Sequence, residues 1–389
     1  MPKTTSNSIK VLHCPHHIGG QAANIAQYER AIDLQSTAVT FEDGMFGYHA
    51  DETLWSANAS RITQERARWQ LFFRALMKFD VIHYNFGCSI LNWGALDDRH
   101  RWMAAGLGGL YAQFNSAIEL PLLKLAGKVV AVTYQGDDAR QGDYSRRNYD
   151  VSIANEVDDS YYSEKSDEGK RRRIARFSQY ADLMYSVNPD LLNVLPTWAS
   201  YLPYAHIDLA SWMPIDLGNG LEIPHVVHAP SHKKAKGTTH LLAAVERLKS
   251  EGILFRFSLV EGMSNDKARC VYETADLLVD QLLAGFYGGL AVELMALGKP
   301  VICYIRESDM HYLPPAMSQE MPLIQADPQS IYEVLRQWLT TRKGDLRARG
   351  LAGRGYVERW HDPMKIAGRL KNDYEQAFER RRSGQIAGQ

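Results

Sequence analysis

Residues 279–305, VDQLLAGFYGGLAVELMALGKPVICYI, limit what this chain can fold into more tightly than any other stretch. The apolar run from Ala275 to Leu283, broken by Asp276, Asp280 and Gln281, reads as a buried strand ending in polar groups. Gly285-Phe286-Tyr287-Gly288-Gly289 follows, a loop that glycine allows to fold tightly. A helix is expected from about Leu290 to Leu297, with Gly298 just past its end. Lys299-Pro300 then leads into a second apolar strand, Val301 to Ile305. A glycine loop that opens a helix gathers backbone N–H groups and a positive dipole end at one point, which suits an anion. Glu293, about one turn into that helix, could accept hydrogen bonds from sugar hydroxyls.

A second anion element precedes it. Pro224 to Pro230 reads as a strand, followed by the loop SHKKAKGT, residues 231–238, and a helix to about Glu251. Three lysines and a histidine at a helix start favour an anion by fixed charge as well as by dipole, the latter worth about 0.3–1 kcal/mol when exposed. Upstream, the first half repeats the pattern of strand, turn and helix. The strand Ile9 to Cys14 runs into His16, His17, Gly19 and Gly20 and a helix from about Ala22 to Leu34. Asp80 to Gly87 and Lys128 to Thr133 read as further buried strands, the second ending in Tyr134-Gln135-Gly136-Asp137-Asp138. Polar groups after apolar strands fit the rule that α/β sites lie beyond the carboxyl ends of strands.

The 279–305 stretch resembles the donor-site signature of family 4 glycosyltransferases, retaining enzymes of the GT-B fold. Tyr287-Gly288, Glu293, Met295-Ala296, Gly298 and Pro300-Val301 match it, while Gly285 stands where the family has its first Glu. Lys236-Gly237 resembles the family's diphosphate-binding element, with His232 or Lys233 the nearest candidate for its upstream Arg. Gly19-Gly20, the strand bearing His83, and Gln135 to Asp138 resemble the N-terminal elements, with Gln135 where the family has His. The resemblance covers most of the chain and is strongest over Val226–Ile305. It implies an α/β fold of two Rossmann-like domains facing a central cleft, with the C-terminal helix crossing back to the first domain. The expected division is 1–205, a linker at 206–222, 223–360, and a crossover helix and tail at 361–389.

The implied reaction is retaining transfer of a sugar from a nucleoside diphosphate sugar to a saccharide or lipid-linked acceptor, in surface polysaccharide or glycoconjugate synthesis. Lys236, with His232 or Lys233 and the helix start, would stabilise the departing diphosphate, and Glu293 would hold the ribose. Gly19, Gly20, Gly237, Gly285, Tyr287, Gly288 and Gly289 would shape the donor site. His16, His83, Gln135 and Asp138 would face sugar or acceptor. Local reading leaves His16 and His83 open between that role and packing. Neither cofactor nor metal is required, because lysines can replace a metal's charge. The rival readings are a nucleotide-sugar epimerase or hydrolase on the same fold, and a nucleotide-sugar binder that has lost catalysis.

Composition narrows the setting. The 389 residues carry a formal net charge of −1, so nothing global points to nucleic acid. Cys14, Cys88, Cys270 and Cys303 are scattered without metal-like spacing, which argues for a reducing compartment. Met1 to Lys10 is polar, without the apolar core of a signal peptide, and no apolar run is long enough to span a bilayer. A cytoplasmic protein is expected. The helix expected over Ser60 to Lys78 mixes arginines with Trp69, Phe72 and Phe73, which fits a core-facing helix with a solvated side or a peripheral contact at the inner membrane face. The polar stretch from Asp143 to Arg173 is expected to be a mobile loop and a helix start.

Overall fold

A computed structural model describes residues 8–42, 44, 47–91, 107–215 and 223–383. Part of the apolar segment 89–125, the end of the expected linker and the tail beyond Ser383 therefore lie outside the described residues. Seven parallel strands form the first sheet: β1 (Lys10–Cys14), β2 (Gln35–Thr40), β3 (Glu52–Thr53), β4 (Val81–Asn85), β5 (Val129–Tyr134), β6 (Leu183–Ser186) and β7 (Ser200–Tyr201), in the order β3-β2-β1-β4-β5-β6-β7. The second contains β8 (His225–His228), β9 (Arg256–Leu259), β10 (Leu277–Val279), β11 (Val301–Cys303) and β12 (Ile324–Gln325), also parallel, in the order β12-β11-β10-β8-β9.

The central strands are buried along their whole length, VIHYN in β4 and VVAVTY in β5, as expected where helices cover both faces of a parallel sheet. The expected strand ending at Leu283 is shorter: β10 stops at Val279, although the Asp280 N–H still donates to Ile302 and the Gln281 carbonyl still accepts from Tyr304, each at 2.9 Å. The Asp280 carboxylate accepts the Gly288 N–H at 2.7 Å.

Helices α1 (Gln21–Ala31), α2 (Arg61–Lys78) and α3 (Leu107–Leu125) serve the first sheet. Ser60 caps α2 by accepting the Thr63 N–H at 3.2 Å. Leu71, Phe72 and Ala75 of α2 enter the core. Two of its arginines turn inward: Arg68 lies 4.2 Å above the Phe41 ring, and Arg74 pairs with Glu52 at 2.8 Å. Ile62, Phe73 and Met77 stay exposed.

The stretch expected to be a mobile loop and a helix start does begin a helix, α6 (Glu164–Tyr180), but its expected loop is folded as α4 (Gly142–Asn148) and α5 (Ile153–Glu156). Periodicity missed it because its apolar residues are few and pack across the molecule. Ile153, Ala154, Val157 and Tyr162 form a small cluster with Ala235, Leu283 and Ala284 of the second half. Ser163 and Ser166 close a capping box at the start of α6, and Arg171 pairs with Asp143 at 2.9 Å.

In the second half, α7 (Lys233–Lys236), α8 (Thr238–Ser250), α9 (Asn265–Glu273) and α10 (Gly289–Ala296) alternate with the strands. Then come α11 (Pro315–Gln319), α12 (Ile331–Leu339) and α13 (Leu346–Trp360), and α14 (Pro363–Arg382) crosses back to lie on α1. Asp362 caps α14 through the Met364 N–H at 2.9 Å. Ile366, Leu370, Tyr374 and Ala377 follow helical spacing into the core of the first domain beside Val11, Ile25 and Val81.

Tyr374 closes a buried polar chain. Its hydroxyl donates to Glu29 at 3.1 Å and lies 2.7 Å from His83 Nδ1, while His83 Nε2 meets Thr133 Oγ1 at 2.7 Å. Tyr374→Phe would strip partners from two fully buried groups, so urea unfolding should show a loss of about 1–3 kcal/mol. A loss within error of zero would mean the chain is not structural.

Buried imidazoles set the acid limit. Burial, then Arg68, lowers the His16 pKa to about 3, and burial lowers that of His361 to about 3. Unfolded imidazoles take up protons near 6.5 and these two only near 3. Their contribution is therefore fully present above pH 6.5 and declines as pH falls toward 3. Unfolding midpoints measured from pH 7.5 to 4 should drop, and a His361→Gln variant should drop less steeply.

Candidate functional site

The carboxyl ends of both sheets open onto one cleft of about 420 Å³, within the range of small-molecule sites. Its first wall is built from the segments after β1, β4, β5 and β6, with Gly19, Gln21, Phe86, Gln135 and Asn188 facing in. Its second wall comes from the segments after β8, β9 and β10 and from α10, with His232, Lys236, Glu261, Gln281 and Glu293. This is where doubly wound sheets place ligands, since loops leave the sheet at strand ends while its faces are covered.

Lys236 ends α7, and its ammonium donates to Gln281 Oε1 at 2.5 Å, with Asp280 at 3.8 Å. A Cβ on Gly288 would lie 3.4 Å from that ammonium, so the cation stands at the start of α10. Gly288 and Gly289 line the cleft beside it. The Gly288 N–H, however, is held by Asp280, so any amides this helix start offers to a ligand begin one residue later.

His232 lines the cleft and caps α7, its Nδ1 accepting the Ala235 N–H at 3.2 Å. Lys233 does not line the cleft but pairs with Glu261 on its wall at 2.9 Å, and Lys234 reaches Asp158 of the first half at 3.1 Å. Glu293 is buried in α10; its Oε1 accepts from the Tyr48 hydroxyl at 3.1 Å and lies 3.5 Å from His206 Nε2.

Several expected site residues take other roles. His83 is fully buried in the Tyr374 chain, outside the cleft. Asp138 is also buried, and its carboxylate accepts the Gln135 and Gly136 N–H groups, which shapes the turn after β5. Burial pushes its pKa up to about 6 against those hydrogen bonds. Asp137, its neighbour, is the carboxylate that faces the cleft, held by Tyr161, Tyr162 and Arg140. Burial alone would raise its pKa, but Arg140 and the two hydroxyls hold it below the usual carboxylate range.

Tyr287 is wholly buried and bonded to His361 at 2.9 Å. His16 packs edge-on against Phe41 and Phe86 rather than lining the cleft. Gly20, Gly237 and Gly285 shape the backbone: all three have positive φ, and none lines the cleft.

Gly285 has a specific reason to lack a side chain. Its φ is +81°, and a Cβ there would come within 2.5 Å of the Arg306 guanidinium, which pairs with Asp309 and lies 3.6 Å from the centre of the Tyr149 ring. The departure at 285 is thus coupled to Arg306, and the two positions exclude each other sterically.

Among the cleft residues that the sequence did not single out are Gln21, Tyr48 and His206. Gln21 follows the Gly19-Gly20 turn and could have been suspected as its polar neighbour. Tyr48 and His206 sit in irregular segments with no periodic pattern. Among the described residues no helix is long and apolar enough to cross a membrane, and no group of three or more His, Cys, Asp or Glu is placed to hold a metal ion.

No protein-family model and no curated protein matches the sequence. Solved structures do match the fold. Sucrose-phosphate synthase from Thermosynechococcus elongatus superposes with a TM-score of 0.60 at 16% identity, over 96% of this chain and 99% of that one. Anabaena HepE, solved in complex with UDP-glucose, gives 0.59 at 10% identity, over 95% and 100%. The catalytic domain of Arabidopsis thaliana starch synthase IV, bound to ADP and acarbose, gives 0.58 at 11% identity, over 96% and 99%. Two parallel sheets facing one cleft, a last helix that returns to the first domain, and superposition along nearly the whole chain establish that the protein has the GT-B fold of these glycosyltransferases.

Proposed function

We propose that the protein is a retaining glycosyltransferase that moves a sugar from a nucleoside diphosphate sugar to a saccharide or lipid-linked acceptor, in surface polysaccharide or glycoconjugate synthesis. One observation carries this reading. A lysine ammonium, a helix N-terminus and a buried carboxylate one turn further on share one wall of the cleft. The first two match the charge of a diphosphate, and the third matches the hydroxyls of a ribose. The GT-B neighbours captured with UDP-glucose and with ADP support the same ligand class.

As the sugar–phosphate bond breaks, negative charge grows on the leaving diphosphate. Lys236, already fixed by Gln281, and the first amides of α10 would meet that charge without reorganising, which is the most effective form of electrostatic catalysis. Gln135 cannot take up a proton, but its amide nitrogen, buried and without a partner, can donate to a sugar oxygen. A retaining reaction in which the leaving phosphate itself receives the acceptor's proton needs no enzymic base. In this reading Lys236 supplies the charge neutralisation, so no metal is needed. Ile62, Phe73 and Met77, exposed beside the basic residues of α2, support a peripheral contact at the inner face of the membrane for a cytoplasmic enzyme.

A second reading, a nucleotide-sugar binder without turnover, is favoured by Gly285, whose side-chain space Arg306 has taken. Turnover decides between them. Incubation with the donor should release diphosphate slowly alone and faster with an acceptor, whereas a binder releases none.

Thermal shift with UDP, GDP, ADP, TDP and CMP, with and without EDTA, should show one diphosphate that stabilises the protein in both conditions. In Lys236→Ala the affinity for that diphosphate should fall roughly ten- to a hundred-fold, the value of about 1.5–3 kcal/mol for a hydrogen bond to a charged group. Unchanged affinity would remove Lys236 from the site. Tyr48 holds one of the two Glu293 oxygens open to a ribose in this reading, so Tyr48→Phe should tighten binding by roughly two- to ten-fold, one ordinary hydrogen bond of about 0.5–1.5 kcal/mol. Weaker binding would show that Tyr48 serves the ligand instead of competing with it.

A further inference from the structure

His206 is the least explained polar side chain in the cleft. Its side chain is 4% exposed, yet neither ring nitrogen has a hydrogen-bond partner. A buried imidazole without partners costs free energy unless something else satisfies it. Its Nε2 lies 3.5 Å from Glu293 Oε1, too far for a good hydrogen bond. Tyr204 stacks edge-on at 5.8 Å between ring centres, and His361 is a further neighbour.

The ring is also held in place. Gln21 accepts the Ala205 N–H at 2.9 Å, Asn24 donates to the carbonyls of Ala205 and Ile207 at 2.6 and 3.1 Å, and Tyr28 donates to Asp208 at 2.8 Å. Helix α1 thus fixes the backbone on both sides of His206 and aims its ring across the cleft. The ring edge meets the opposite wall at the first residue of α10: a Cβ on Gly289 would lie 3.3 Å from both Cε1 and Nε2. Since Asp280 holds the Gly288 N–H, the next amides of α10 and the His206 ring edge face the same space.

We propose that His206 donates a hydrogen bond from Nε2 to a phosphate oxygen of a nucleoside diphosphate seated at the N-terminus of α10. The inference rests on the nucleotide-sugar reading above and adds a residue from the interdomain segment to it. With ribose on Glu293 and phosphate at Gly289, the ring edge lies between the two and bridges the linker side to the diphosphate. Because α1 pins His206 and α10 belongs to the second half, the bond also ties donor binding to the relative placement of the halves.

The test is calorimetric titration of the protein with UDP, GDP, ADP and TDP, and NMR titration with the corresponding nucleosides at millimolar concentration. For the diphosphate that binds, His206→Ala should lose about ten-fold in affinity, the range for a hydrogen bond to a charged group. It should leave the nucleoside affinity within about two-fold. His206→Gln, which keeps a donor near Nε2, should recover most of the loss, and circular dichroism should report the wild-type fold for both variants. Equal losses for nucleoside and diphosphate, or no loss for either, would overturn the proposal while leaving the nucleotide reading standing. If the wild type binds none of the four diphosphates, the reading fails and the inference falls with it.

Discussion

Tyr374 reaches from the last helix into the core of the first sheet, and the way the two halves face each other depends on that reach. The chain enters the second half after β7 and returns through α14, so the domains are joined twice. One junction is the segment held by Gln21 and Asn24, and the other is the α14 face packed on α1. Both combine buried hydrogen bonds and apolar contact with charged side chains: on α14, Arg381 pairs with Asp182 and Arg369 donates to the Tyr201 carbonyl, each at 2.8 Å.

Those two junctions make the cleft. Each sheet by itself offers loops at its carboxyl ends, but a site needs both sets at hydrogen-bond range. Tyr48 bound to Glu293, Asn265 bound to Tyr48 at 2.7 Å, and the cluster of Ile153 and Tyr162 against Ala235 and Leu283 span the gap. The walls differ in character. The second carries Lys236, Glu293 and the start of α10, fixed by Asp280 and Gln281. The first offers neutral amides at Gln21 and Gln135, together with the ionised Asp137. A charged ligand end on one side and a hydroxyl-rich end on the other is the pairing such walls suit.

The sequence was most readable where function is local. A strand end, a glycine loop and a helix start are specified within about thirty residues, so Gly288 and Glu293 could be placed from sequence, and Lys236 likewise from its own strand, loop and helix start at 224–251. It misled where one residue type serves two purposes. His83 and Asp138 follow apolar strands just as site residues do, but their neighbours consume them: Tyr374 and Thr133 for the histidine, two backbone amides for the aspartate. The order in 142–180 was hidden for a related reason, since several of its few apolar side chains find partners in the second half of the chain.

The sequence by itself determined the two parallel sheets, the turns that end their strands and the glycine-opened helix start, because hydrophobic period, glycine and charge act over a few residues. Only the tertiary structure decided which polar groups meet in the cleft. Tyr48 and His206 carry no local pattern; they reach Glu293 because α1 and α14 hold the two halves at one distance. Gly285 shows the same division on a smaller scale. Its φ of +81° suits the glycine of a tight loop, but the exclusion of any larger residue comes from Arg306, twenty-one positions on, whose place beside it is set by folding alone.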